Sequence, residues 1–136
     1  MQTKTTFTSN VQHLITVNYQ RMVAFEQAAF FSNDKSLRSF YEARADESEN
    51  YLKELCAVLN VNADFQAQSC DSVYKNITAK KSAVSMLGLI ISLEKTVMTW
   101  YKKAINDIKS FPAEVIEIIN RQYNGVGATQ CDLQRL

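Results

Sequence analysis

Proline and glycine are scarce in this chain, and that scarcity narrows the fold class. The 136 residues include one Pro and three Gly, whereas average usage is about 5% and about 7%. Both residues shape turns and interrupt regular structure, so folds built from many short strands and tight turns are disfavoured. The composition therefore predicts an all-α protein.

Cysteine is also infrequent and is not arranged in pairs. Cys56, Cys70 and Cys131 form no C-x-x-C motif, and their number is odd. This excludes the usual spacing of a zinc site or a disulfide framework and favours reduced thiols in the cytoplasm. The segment from Met1 to Asn10 lacks the apolar centre of a secretory signal.

Neither sign of charge is in large excess, and no hydrophobic run is long. The chain has 15 basic and 14 acidic residues without a long block of either, so we expect no nucleic-acid partner. The most apolar stretch, Ala83 to Ile91, is too short for a membrane span of about 20 residues. Motifs for phosphate loops and nucleophile elbows are absent from the sequence.

Apolar residues recur at steps of three and four over four segments, the spacing of one helix face. We predict helices from Ser9 or Asn10 to Phe31, from Ser36 to Val58, from Lys80 or Ser82 to Lys109, and from Pro112 onward. The stretch from Asn60 to Thr78 is polar and long enough to cross the length of a helix. The pattern indicates a single domain spanning residues 1–136, folded as a four-helix bundle.

Glu94 is the only charge on the apolar stripe predicted for the third helix, whose other members are Val84, Leu87, Ile91, Met98, Tyr101, Ile105 and Ile108. A carboxylate in that position must be paired, protonated or bound to a ligand. The other stripes are also interrupted near their centres, and together the interruptions predict a central polar layer of Asn18, Arg44, Ser48, Glu94 and Gln122. We expect Arg44 to hold Glu94, either in a structural network that fixes helix register or beside a small-molecule or metal site.

Three segments, Asn18 to Ala29, Glu49 to Leu55 and Leu93 to Ile105, resemble a bacterial ferritin-like four-helix-bundle family of unknown function. Members of that family are distant relatives of rubrerythrins. The resemblance covers nearly the whole chain. It implies a ferritin-like bundle in which a crossover makes helices two and three parallel.

The resemblance also implies where a di-iron site would lie, namely at a Glu from each of two helices and a Glu-x-x-His from each of the other two. In this chain the second-helix Glu-x-x-His motif falls on Ser48 to Tyr51, so both of its ligand positions are lost. The comparable stretch of the fourth helix, Gln122 to Val126, contains no His and no carboxylate. Glu94 is the one residue that matches a ligand position of such a di-iron site. The single histidine, His13, is expected at the surface or near a helix start.

These residues favour a non-enzymatic structural or interaction module without a cofactor, which we expect to self-associate as a homo-oligomer. Four aromatic residues are candidates for its interface: Phe30, Phe31, Phe65 and Trp100. One alternative is an oxidoreductase or iron-handling protein whose iron is held by Glu94, Glu47 and Glu26. Another is a bundle that binds an apolar ligand.

Overall fold

The computed structural model describes residues 2–62 and 83–136, with side chains at 6–62, 86–109 and 111–136. The described residues form four long helices and no strand, which confirms the all-α prediction. The helices are α1 (Gln2–Phe31), α2 (Lys35–Leu59), α3 (Ala83–Asn106) and α4 (Ala113–Gln134), with a short 3₁₀ turn at Ile108–Ser110 between α3 and α4.

Local chemistry explains where α2 and α4 begin and where α2 ends. The Asp34 side chain accepts a hydrogen bond from the backbone N–H of Leu37 at 2.8 Å and so caps α2. Asn60 ends the helix in the left-handed conformation, with φ of 56°, which asparagine tolerates well. Pro112 precedes α4, where its missing N–H removes no helical hydrogen bond.

Helix α1 begins at Gln2, earlier than the predicted start at Ser9 or Asn10. The extra turns are tied to the rest of the bundle, because the Phe7 ring meets Phe111 edge to face with centroids 5.1 Å apart. Ser9 and Asn10 could each cap a helix, but the helix continues through them because Phe7, which precedes them, also packs in the bundle. The predicted connection from Asn60 to Thr78 lies largely outside the described residues, so its path stays a prediction.

Contacts between side chains establish the direction of each helix. Asn10 is bonded to Asp107 and Arg21 to Glu94, so the residue numbers rise in α1 as they fall in α3. These two helices are therefore antiparallel. The turn Ser32–Asp34 also makes α1 and α2 antiparallel neighbours.

Helix α4 is antiparallel to α2. Arg44 contacts Thr129, and Glu54, further along α2, contacts Arg121, which lies earlier in α4. Because α2 and α3 both run opposite to α1, they point in the same direction. Helix α1 packs on α2 and α3, and α4 packs on the same two helices, so α2 and α3 lie diagonally across the bundle.

Candidate functional site

A fully buried arginine lies at the centre of the bundle. The Arg21 side chain is 0% exposed, and its Nε donates a hydrogen bond to Oε1 of Glu94 at 2.8 Å. Its Nη1 donates to the Ser48 hydroxyl at 3.1 Å and lies 2.9 Å from Oε1 of Glu47. The guanidinium also lies 5.3 Å from the centre of the Phe25 ring. Arg21 thus joins α1 to α2 and α3.

The contact between Arg21 and Glu47 is an ion contact without the alignment of a hydrogen bond. Oε1 of Glu47 is close to the guanidinium yet has no hydrogen-bond partner. Oε2 of the same carboxylate accepts a hydrogen bond from Nη1 of Arg44 at 3.0 Å. The centre therefore combines two arginines with two glutamates, and its formal charges cancel.

Burial and charge act in opposite directions on the central pair. Burial alone would lower the pKa of Arg21, but the carboxylates of Glu94 and Glu47 outweigh it and raise that pKa, so the guanidinium stays charged. Burial raises the pKa of the Glu94 carboxyl, and the charge of Arg21 opposes the rise. Since a buried ion pair is costly to desolvate, this pair is not by itself evidence of high stability.

A second set of hydrogen bonds continues the layer toward α4. The Tyr101 hydroxyl accepts a bond from Nδ2 of Asn18 at 2.9 Å and donates one to Oε1 of Gln122 at 2.5 Å. Nε2 of Gln122 in turn donates to Oε1 of Glu54 at 3.1 Å. Arg121 holds that carboxylate from outside with two hydrogen bonds, and these bonds lower the pKa of Glu54.

The structure buries four residues of the predicted polar layer, Asn18, Ser48, Glu94 and Gln122. The fifth, Arg44, lies at the edge of the layer with a side chain that is 27% exposed. The predicted pairing of Glu94 with Arg44 was wrong, because Glu94 is bonded to Arg21 and Arg44 is bonded to Glu47.

The resemblance places Asn18 or Arg21 in the inward region of the first helix, where a di-iron protein has a Glu. Sequence reasoning nevertheless left Arg21 out of the polar layer and identified neither Arg21 as the partner of Glu94 nor Tyr101 as a polar bridge. One signal could have revealed Arg21: it lies three residues after Asn18 and four before Phe25, and both neighbours are buried. At helical spacing this places Arg21 on the same inward face.

The alternative iron ligands do not converge. Glu26 is exposed on α1, and its electrostatic neighbours are Glu49 and Asp46 of α2. Glu94 and Glu47 approach the same guanidinium instead of a common site for a metal. Among residues 2–62 and 83–136, no three His, Cys, Asp or Glu side chains are grouped so that they could hold a metal ion.

Of the side chains that the sequence singled out, His13 and Phe30 lie at the surface, whereas Trp100 and Phe31 are partly buried and pack against the core. His13 is exposed and stacks on Trp100, with ring centroids 4.0 Å apart and an angle of 13° between the planes. The Nζ atom of Lys103 lies over the Trp100 ring, 5.2 Å from the ring centre. Phe30 is 76% exposed and meets Phe31 edge to face. Phe65 lies outside the described residues.

An apolar groove of about 490 Å³ lies at one end of the bundle. It is formed by the beginning of α2, by Leu87 of α3 and by the end of α4, where Leu136 is 62% exposed. The groove is open at the surface, whereas the predicted apolar-ligand pocket was placed within the bundle.

In the described part of the chain, no helix combines the length and the apolar character needed to cross a membrane. The sequence matched no protein-family model, and comparison with curated proteins and with solved structures gave no match.

Proposed function

We propose that this protein is a non-enzymatic ferritin-like bundle that serves as a structural or protein-interaction module in the cytoplasm. The observation that carries the proposal is Arg21, whose guanidinium lies between Glu94 and Glu47 at the centre of the bundle. A ferritin-like metalloprotein would hold its cations at this height, between carboxylates of neighbouring helices. Here guanidinium groups of the chain itself neutralise those carboxylates, Arg21 at Glu94 and Glu47 and Arg44 at Glu47.

The direction of the helices supports the ferritin-like part of the proposal. Helices α2 and α3 point the same way, and this agrees with the parallel arrangement of helices two and three that the resemblance implies. Short connections throughout would instead give an up-down-up-down bundle, in which consecutive helices are antiparallel.

The side chains of the central polar layer do not fit a di-iron centre. Such a centre needs several carboxylates and imidazoles aimed at one point, whereas the layer offers Asn18, Ser48 and Gln122 beside the two glutamates. Placing a metal between Glu94 and Glu47 would require Arg21 to leave a site where it is fully buried. In this proposal the central polar layer holds the four helices in one register, and the bundle presents its outer faces to partners.

Metal analysis tests this proposal against the iron-handling alternative. The protein would be produced with iron supplied, purified without chelator and assayed for bound metal by mass spectrometry. We expect far less than one iron per chain, and no change of the melting temperature when Fe²⁺ or a chelator is added. Stoichiometric iron that disappears in Glu94→Gln, but not in the control Glu114→Gln on the exposed start of α4, would overturn the proposal.

A further inference from the structure

Two exposed surfaces of the bundle carry charges that no described residue neutralises. The acidic surface consists of Glu26, Glu42 and Asp46, which line one groove between α1 and α2 together with Phe30. None of the three carboxylates forms an ion pair with another described residue. Arg38 also lines this groove and donates a hydrogen bond to the carbonyl oxygen of Ser32 at 2.7 Å. That acceptor is neutral and leaves the charge of Arg38 in place, so three carboxylates and one guanidinium give the groove a formal net charge of −2.

The pKa of the Glu26 carboxyl lies above its ordinary value. Burial raises the pKa of its carboxyl, and the nearby charges of Glu49 and Asp46 raise it further. The groove has a volume of about 550 Å³ and is bordered by Phe30, which is 76% exposed. An acidic groove beside an exposed aromatic ring suits a partner with long basic side chains, whose alkyl stems can cover the ring.

The basic surface consists of Lys95, Lys102 and Lys103, all exposed on α3. The only acidic residue of this helix is Glu94, which is buried and paired with Arg21. The exposed face of α3 therefore has lysines without carboxylates between them. No ion pair joins these three lysines to any residue that the structure describes.

The two surfaces face away from each other. The acidic surface lies along α1 and α2, while α3 is diagonally opposite α2, and Lys95 borders a small cavity shared with Gln130 of α4. The surfaces cannot neutralise each other within one molecule. Between two molecules they are complementary, and complementary charge is a common basis for orienting protein contacts.

We propose that the acidic surface of one copy binds the basic surface of a second copy of this chain. The inference rests on the proposed function as an interaction module and names its partner. Because the two surfaces are different and lie on opposite sides, the contact is head to tail. Each copy can then bind two neighbours, so assembly continues beyond the dimer unless the rotation closes a ring.

Sedimentation velocity on the full chain tests for this contact. We expect the average mass to rise with protein concentration in about 0.1 M salt and to fall toward the monomer in about 1 M salt, where the screening length drops from about 10 Å to about 3 Å. A monomer at every concentration in low salt would overturn the inference.

A charge-swap experiment separates this contact from any other. Variant A carries Glu42→Lys and Asp46→Lys, and variant B carries Lys95→Glu and Lys102→Glu. We expect each alone to associate at least about tenfold more weakly than the natural protein, since like charges would meet. An equimolar mixture of A and B should associate again, because each reversed surface then faces its opposite.

The matched control carries Glu114→Lys and Glu117→Lys, which make the same change of net charge as variant A on α4. It should associate like the natural protein, and circular dichroism should show all three variants folded. If A and B each associate normally, a different surface is responsible and the inference is wrong. The metal analysis is independent of these results, so the proposed function can stand when this contact fails.

Discussion

The hydroxyl of Tyr51 occupies the space beside Gly125 where a side chain at that position would lie. A Cβ at Gly125 would overlap the hydroxyl oxygen of Tyr51 and approach its ring. The two residues belong to α2 and α4, so this glycine leaves room for a side chain of the neighbouring helix. Helix α4 remains continuous to Gln134 in spite of it.

Gly125→Ala should therefore lower the free energy of unfolding, by about 1 kcal/mol. Overpacking costs about 1–3 kcal/mol, and the better helix propensity of Ala returns about 1 kcal/mol. Denaturant unfolding measures the difference. Gly127→Ala is the matched control, since its nearest neighbour would be Cε of Met98 at 3.9 Å, and it should stabilise the protein. If Gly125→Ala remains equally harmful in a Tyr51→Phe background, the hydroxyl is not the cause.

Arg21→Met should destabilise the protein by about 3–5 kcal/mol, because it leaves Glu94 buried without its cation. Arg121→Met, which removes a partly exposed ion pair with Glu54, should cost about 1 kcal/mol or less. Both effects can be measured by urea unfolding monitored by circular dichroism.

The double variant Arg21→Met with Glu94→Leu tests the reason for that loss. Glu47 would keep Arg44 as a partner at 3.0 Å, so the double variant removes the central charges together. We expect it to recover most of the stability that Arg21→Met loses. A double variant as unstable as the single one would show that Arg21 contributes through packing and not through charge.

Tyr101→Phe should lower the free energy of unfolding by about 1–3 kcal/mol, the cost of leaving buried polar groups unpaired. Without the hydroxyl, Oε1 of Gln122 loses its donor, while Asn18 retains its bond to the carbonyl oxygen of Leu14. Tyr123→Phe, on the partly exposed side of α4, removes the same group and should change the stability little. Equal losses in the two variants would argue against the buried network.

Glu26→Gln should stabilise the protein at neutral pH by up to about 0.5 kcal/mol, a small effect because the side chain is exposed. The pKa of Glu26 is raised in the folded state above its ordinary value of 4.5. Stability is therefore lost as the pH rises from that value through the folded-state pKa. Gln does not ionise and avoids the loss.

Thermal unfolding at a series of pH values tests this effect. The difference between Glu26→Gln and the natural protein should be present at pH 7 and vanish below the ordinary pKa of Glu. Glu114→Gln controls for the removal of one negative charge elsewhere. A difference that persists unchanged in acid would contradict the assignment to ionisation.

Local patterns in the sequence were sufficient to predict much of the fold. Helical spacing predicts that one face of the fourth helix is formed by Val115, Ile119, Gln122, Val126, Thr129, Leu133 and Leu136. All of these are buried except the last, Leu136. The end of the first helix at Phe31 was also predicted, and α4 begins at Ala113, one residue after the predicted start at Pro112. Such features depend on helical periodicity and on backbone chemistry within a few residues, which a single sequence contains.

The sequence by itself determined that four amphipathic helices form and that Glu94 would be buried. Only the tertiary structure decided that Glu94 meets Arg21, since the pairing depends on how α1 and α3 are rotated about their axes. The same rotation leaves Ile91 40% exposed although it belongs to the predicted stripe, while Met86 and Ile90 are buried. Helical period assigns residues to a face, but contacts between helices decide which edge of that face is buried and which charges meet.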